Sequence, residues 1–190
     1  NVEGDWSAAS YYYSMAAMAD EVDLKIMGLN RFSYQGDSAI AGLMSQFGVT
    51  TTHIEGGIHL TKNENTLKSV EIDFRDYPDL AQSLLVCAAG KGVAVKARGM
   101  ETLEIKETNR IDALDKELQK IGLKLIPLGA TWNLGSRTNT QPVETLEIDT
   151  YKDHRMAMAF APLAMLMDVT IEEPNVVVKS YPSFWEDIKK

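Results

Sequence analysis

What most limits the folds open to this 190-residue chain is that it repeats itself. Three similar segments, GDWSAASYYY, PDLAQSLLV and KDHRMAMAF, are led by Asp5, Asp79 and Asp153, and both intervals are 74 residues. A second set recurs at intervals of 71 and 73: Gln35 in YQGDSAIAGLMSQFG, Lys106 in IKETNRIDALDKELQKIG and Lys179 in VKSYPSFWEDIKK. Two members of the first set share a lead-in, VEIDFRDYPD and LEIDTYKDHR. Self-similarity at a fixed period marks repeated supersecondary units, each unable to bury its apolar face alone. The chain therefore reads as three copies of a strand-helix-strand-helix unit of about 70 residues.

Inside the copies, apolar residues at helical spacing predict helices at 5–19, 36–47, 78–89, 107–121, 154–167 and 182–189. Runs rich in β-branched residues predict strands at 22–28, 49–54, 58–62, 69–74, 92–98, 123–127, 131–134, 145–149 and 169–173, with a last short one at 176–178. The Gly56-Gly57 pair and Leu128-Gly129-Ala130 mark tight hairpins. The class is α/β. No linker interrupts the chain, and its length suits one sizeable core, so residues 1–190 read as a single domain.

Composition removes several function classes. With 27 Asp and Glu against 19 Lys and Arg the net charge is −8, which excludes the broad basic face that a nucleic-acid backbone demands. Any anion must be met by a local cluster. The longest apolar run, Met156 to Met167, is twelve residues interrupted by Pro162, a core helix rather than a membrane span. Cys87 is the single cysteine, so no internal disulfide forms, and in LLVCAAG it reads as a buried thiol of a cytoplasmic protein. The opening NVEGDWS lacks an initiating Met and reads as the start of a piece cut from a longer chain.

Copies related by approximate rotation bring equivalent helix ends to one side, where unpaired N–H groups and positive dipole ends suit phosphate or carboxylate. Asp5 and Asp79 read as ordinary N-terminal caps. Lys106, Arg110, His154, Arg155 and Lys179 do not, since a cation near a helix start opposes the dipole by about 0.3–1 kcal/mol. Taken singly, each has a plain explanation as a solvated charge or a partner for a neighbouring acid. Recurrence at equivalent places in three copies favours a shared anion pocket. His53 and His59 flank the Gly-Gly hairpin as exposed residues, while Tyr11-Tyr12-Tyr13 and the nine Met fill core or edge.

The segments VEGDWSAASYY, YPDLAQ, IKETNRI, YKDHRMAM and VVVKSYPSFW, in this order and spacing, resemble the C-terminal part of the EPSP synthases, the enolpyruvylshikimate-phosphate synthases of aromatic amino-acid biosynthesis. The resemblance spans nearly the whole chain. KET(D/N)R followed some 45 residues later by DHRMAM is specific, and the sister family acting on UDP-N-acetylglucosamine lacks that pair. The resemblance implies a two-domain protein, each domain an inside-out α/β barrel of three βαβαββ units with helix N-termini toward the cleft. It implies transfer of the enolpyruvyl group of phosphoenolpyruvate to the 5-hydroxyl of shikimate 3-phosphate, with release of phosphate and with neither metal nor organic cofactor. By motif, Asp79 matches the carboxylate that contacts shikimate hydroxyls and serves as base, and Glu107 the group that moves a proton at the phosphoenolpyruvate methylene. Lys106 matches a shikimate 3-phosphate ligand; Arg110, Arg155 and Lys179 match phosphoenolpyruvate ligands, with His154 beside them. Proton delivery to carbon and removal from oxygen suit two carboxyl groups in different protonation states, and cations neutralise and orient the substrate.

The chain also departs from the family pattern. Thr102 stands where several members carry an asparagine that helps hold shikimate 3-phosphate, Asn109 replaces a commoner Asp, and Lys152 an Asn often found before DHR. The family's Lys-Ser phosphate motif, its Ser-Ser-Gln shikimate segment and a further phosphate-binding Arg are not among these 190 residues. The expected partner is therefore the N-terminal domain of the same enzyme, and the isolated chain is expected to be inactive. The alternative is a non-catalytic anion-binding domain of the same fold.

Overall fold

A helix whose residues are small and apolar on every side can only be buried, and the first helix of each copy is of that kind. In the computed structural model, which describes residues 2–64, 67–136 and 145–189, these helices are α1 (Trp6–Met18), α3 (Ala81–Lys91) and α5 (His154–Phe160). Every side chain from Ala81 to Ala89 is buried. The Ser10 and Ser83 hydroxyls pair across α1 and α3 at 2.8 Å, so neither hydroxyl is left without a partner in the close contact. Gly90 permits that closeness, since a Cβ there would sit 2.7 Å from Met18 Sδ and 3.0 Å from Leu163 Cδ2.

The first copy continues with β1 (Asp23–Met27), a short α2 (Ile40–Leu43), β2 (Val49–Ile54) and β3 (Gly57–Lys62). The second places β4 (Ser69–Asp73) before α3, then β5 (Ala94–Arg98), α4 (Arg110–Gln119), β6 (Leu125–Leu128) and β7 (Thr131–Leu134). The third sets β8 (Thr145–Ile148) before α5, then β9 (Asp168–Ile171) and α6 (Phe184–Asp187). Three sheets result, ordered β1-β3-β2, β4-β5-β7-β6 and β8-β9. β4 runs parallel to β5 and β8 to β9, while the other pairs are antiparallel. The second copy thus carries the whole βαβαββ order; β1-β3-β2 repeats its β5-β7-β6 portion, and β8-β9 its β4-β5 portion.

Alternation fixes which sheet face turns inward. Val70, Ile72, Val95, Ala97, Leu146 and Ile148 are buried against the helices, whereas Glu71, Lys96 and Glu147 point to solvent. Helices lie within and sheets outside, the inside-out arrangement. Each fully buried large side chain of that core, such as Leu84 or Phe160, contributes about 1.5–3 kcal/mol. No helix among the described residues is long and apolar enough to cross a membrane.

Several expected elements differ. The segment 176–178 is not a strand: Pro174–Lys179 forms a 3-10 turn, entered through Glu173 at φ 48°, with Pro174 lacking a donor for a ladder. Three consecutive valines, Val176 to Val178, give the segment its strand-like pattern. The helix expected at 36–47 is a 3-10, α, 3-10 succession ending at left-handed Gly48. The one expected at 154–167 stops being α-helical at Phe160, because Pro162 cannot continue it, and ends in a 3-10 turn at Ala161–Met165. The helix expected from 107 starts at Arg110, where the Asn109 side chain accepts from Asp112 N at 3.2 Å and caps it.

Candidate active site

Three carboxylates tie the copies together at one end of the domain. Asp79 lies in the 3-10 turn Pro78–Leu80 ahead of α3, and its side chain caps nothing there, against the expected capping role. It instead receives Arg155 Nη2 at 2.9 Å and Arg110 Nη1 at 3.2 Å, with Lys106 Nζ at 3.8 Å. Asp153, fully buried, caps α5 by accepting Arg155 N at 2.8 Å and binds Arg110 through Nε at 2.6 Å and Nη2 at 3.3 Å. Glu107 accepts from Lys179 Nζ at 2.7 Å and lies 3.4 Å from His154 Nδ1. Asp5 is the cap it was expected to be, accepting from Ser7 N and Ala8 N.

Every expected site residue, Asp79, Lys106, Glu107, Arg110, Arg155 and Lys179, falls in this connected network. The sequence-level reason given for them needs correcting. Lys106 precedes α4 by four residues, and Lys179 closes a 3-10 turn, so neither sits on a helix start. The cations are also not unmatched, because each contacts a carboxylate of the chain itself. Counting Lys106, Arg110, Arg155 and Lys179 against Asp79, Glu107 and Asp153 leaves one positive charge.

Asp153, Asp37 and Tyr11 were not singled out as site residues. Asp153 was visible as a repeat leader, and its burial beside Arg110 supplies the counter-charge that makes an interior guanidinium tolerable. Asp37 bonds the Ser7 hydroxyl; burial pushes its carboxyl up, and nearby Asp79 adds to that. The QGD triplet containing it was the available signal. Burial pushes the Tyr11 phenol up to about 12, against the pull of the nearby positive Arg155 guanidinium. Thr102 is exposed in the 3-10 turn Glu101–Ile105, outside the network.

Burial alone would raise the Glu107 carboxyl, but the Lys179 hydrogen bond, with His154 and Arg110 nearby, holds it below the ordinary value. Burial lowers the His154 pKa, outweighing Asp153 and Glu107. Burial acts to lower Arg155 too, yet Tyr11, Asp79, Asp37 and Asp5 raise it on balance. The chain enters α5 through two successive left-handed residues, Tyr151 at φ 52° and Lys152 at φ 59°. The Tyr151 hydroxyl anchors that turn on Glu117 at 2.8 Å, which swings Asp153 inward. Backbone strain of this kind persists where surrounding contacts over-determine it.

Glu107, Asp153 and His154 bring ligand-type atoms within 4.8 Å of one another. Asp153 is already committed to Arg110 and Glu107 to Lys179, so a metal cation would have to displace both.

This arrangement of central helices and outer sheets is shared with solved structures. An EPSP synthase from Acinetobacter baumannii superposes with a TM-score of 0.74 at 21% identity, covering 97% of this chain and 45% of that one. The enolpyruvyl transferase NikO from Streptomyces tendae gives 0.66 at 15% identity, covering 99% and 43%. The fold is that of the enolpyruvyl transferases. Residues 1–188 match the family EPSP synthase (3-phosphoshikimate 1-carboxyvinyltransferase), and the chain belongs to it. The 3-phosphoshikimate 1-carboxyvinyltransferase of Bacteroides fragilis is 45% identical over 193 residues, covering 100% of this chain and 46% of its own length. That of Syntrophobacter fumaroxidans is 34% identical over 192 residues, 44% of its length. The chain spans about half the length of the curated relatives it matches.

Proposed function

We propose that this chain is the C-terminal domain of a two-domain 3-phosphoshikimate 1-carboxyvinyltransferase of the cytoplasm and supplies one wall of its active site. The reaction moves the enolpyruvyl group of phosphoenolpyruvate onto the 5-hydroxyl of shikimate 3-phosphate and releases phosphate. One observation carries the reading: Asp79, Glu107, Lys106, Arg110, Arg155 and Lys179 meet in a single network drawn from the second and third copies.

In that network Lys106 and Asp79 meet shikimate 3-phosphate, and Arg110, Arg155 and Lys179 meet phosphoenolpyruvate. Asp79, held between two guanidinium groups, takes the proton of the attacking hydroxyl. Glu107 handles the proton at the methylene carbon. Its carboxyl is held low by Lys179, so an anionic substrate that draws Lys179 away lets that pKa rise and readies Glu107 to deliver a proton. Asp79 and Glu107 keep Arg155 and Lys179 in place until the substrate's phosphate and carboxylate take over, while Arg110 keeps its buried pairing with Asp153 and meets the substrate from that fixed position.

The test is phosphate release from the two substrates, with the chain alone and with the chain joined to the N-terminal half of the Bacteroides fragilis relative. The chain alone turns over negligibly, and the joined protein reaches the ordinary enzyme range of roughly 1–10³ s⁻¹. Glu107→Gln and Asp79→Asn in the joined protein each lower kcat by about 10²-fold or more. A full rate from the chain alone overturns the two-domain reading. Full rates in both variants overturn the roles and leave the non-catalytic anion-binding domain.

A further inference from the structure

At the end of α1 opposite the network, two ammonium groups converge on one carbonyl. Lys62 Nζ, from the last residue of β3, and Lys91 Nζ, from the last turn of α3, each donate to Ala17 O at 2.8 Å. Their nitrogens therefore lie no farther apart than twice that length. Neither ammonium has a carboxylate in salt-bridge contact among the described residues. One lysine is the usual completion of a helix C-terminus; the second adds like-charge repulsion that capping does not require.

The pair lines an open cleft of about 330 Å³ together with Met18, Asp20, Gly90 and Leu166. Burial lowers the Lys62 pKa first and Lys91 lowers it further, against Asp20 and Cys87. Asp20 borders the same cleft but is exposed, and no ion pair joins it to either amine among the described residues. The end of α1 carries about half a negative charge, which two ammonium groups exceed. Each ammonium has three N–H donors, and one apiece goes to Ala17, so four remain for the cleft they border. Convergent N–H donors on two positive charges suit a tetrahedral oxyanion.

We propose that Lys62 and Lys91 form a second anion site that takes inorganic phosphate or the phosphate group of an ester. It is separate from the carboxylate-cation network, since the 13 residues of α1 place the two ends roughly 20 Å apart. Only its distance from the network, not the enzymatic reading, enters this inference.

Inorganic phosphate and glycerol phosphate, each titrated into the isotope-labelled chain at constant ionic strength, test it by amide and side-chain ammonium NMR. Saturable shifts at Lys62, Lys91 and Gly90 are expected, with a Kd on the order of 1 mM. Saturation with free phosphate alone identifies the ion as the ligand; saturation with both admits the ester. Lys91→Gln weakens binding about tenfold with the circular dichroism unchanged, Lys91→Arg restores it, and Lys179→Met leaves it as it was. Shifts that grow linearly without saturating, that chloride reproduces, or that appear only around Arg155 and Lys179 overturn the proposal. So does unchanged affinity in a folded Lys91→Gln chain.

Discussion

Replacing Arg110 with methionine asks whether the centre of the network is structural as well as functional. Arg110 keeps only 4% of its side-chain surface and Asp153 none, and the guanidinium gives that carboxylate two hydrogen bonds of 2.6 and 3.3 Å. Methionine fills much of the same space, but it leaves the buried carboxylate with the Arg155 amide at 2.8 Å and the His154 ring nitrogen at 3.8 Å among the described residues. Breaking a buried pair from one side costs about 3–5 kcal/mol, a large part of the roughly 5–15 kcal/mol that holds a domain folded. At about 2–4 °C per kcal/mol for a domain of this size, Tm falls by roughly 6–20 °C. Asp153→Asn keeps an acceptor for the α5 cap but leaves the buried guanidinium with Asp79 as its carboxylate, so this side of the pair also costs about 3–5 kcal/mol. The double variant loses less than the sum, with a coupling of about 2 kcal/mol. Urea melts with unchanged m-value measure all four corners. A loss under about 1 kcal/mol for Arg110→Met, or strict additivity, would refute this account of the buried pair.

Lys152→Asn should stabilise the chain by roughly 0.5–1 kcal/mol, because asparagine tolerates the left-handed region that Lys152 occupies at φ 59°; an unchanged or lower melting point would mean that the turn stores no such strain. Lys179→Met should raise the Glu107 carboxyl toward its ordinary 4.5, read by carbon NMR titration of the side chain. Since the folded pKa is depressed, Glu107 contributes stability above pH 4.5 that is lost as pH falls through the folded value. The variant should flatten that acid limb, and an unshifted carboxyl would remove Lys179 as the cause.

Repeat spacing carried most of the fold. Equivalent leaders at fixed intervals mark the helices that end up central, and runs of β-branched residues mark nearly every strand, because both signals lie in the local sequence. Failures came where local chemistry competed with a run of propensity. Val176-Val177-Val178 looks like a strand, but Pro174 and the left-handed Glu173 set the backbone before the valines do. Around 36–47 the helical spacing is present, yet the segment never settles into continuous α-helix. Lys106 falls short of the helix start because that start depends on one capping side chain, Asn109, that periodicity cannot locate, and Lys179 because it ends the Pro174–Lys179 turn.

The site shows the same division between what is local and what is not. Convergence of the basic residues followed from the triplication, and the network has it. Their charge balance did not follow, since the acids that match them lie far along the chain: Asp79 is 76 residues from Arg155, Asp153 is 43 from Arg110, and Glu107 is 72 from Lys179. The second and third copies thus each answer a cation of the other with a carboxylate of their own. A cation held this way is both oriented and replaceable, because an incoming anion exchanges one carboxylate contact for another instead of having to order a loose side chain. Lys179 and Glu107, each about half exposed, can make that exchange at little cost, whereas Arg110 and Asp153 cannot. The network therefore divides into a fixed centre on Arg110 and a yielding rim on Lys179, and the chemistry proposed for Glu107 belongs to the rim.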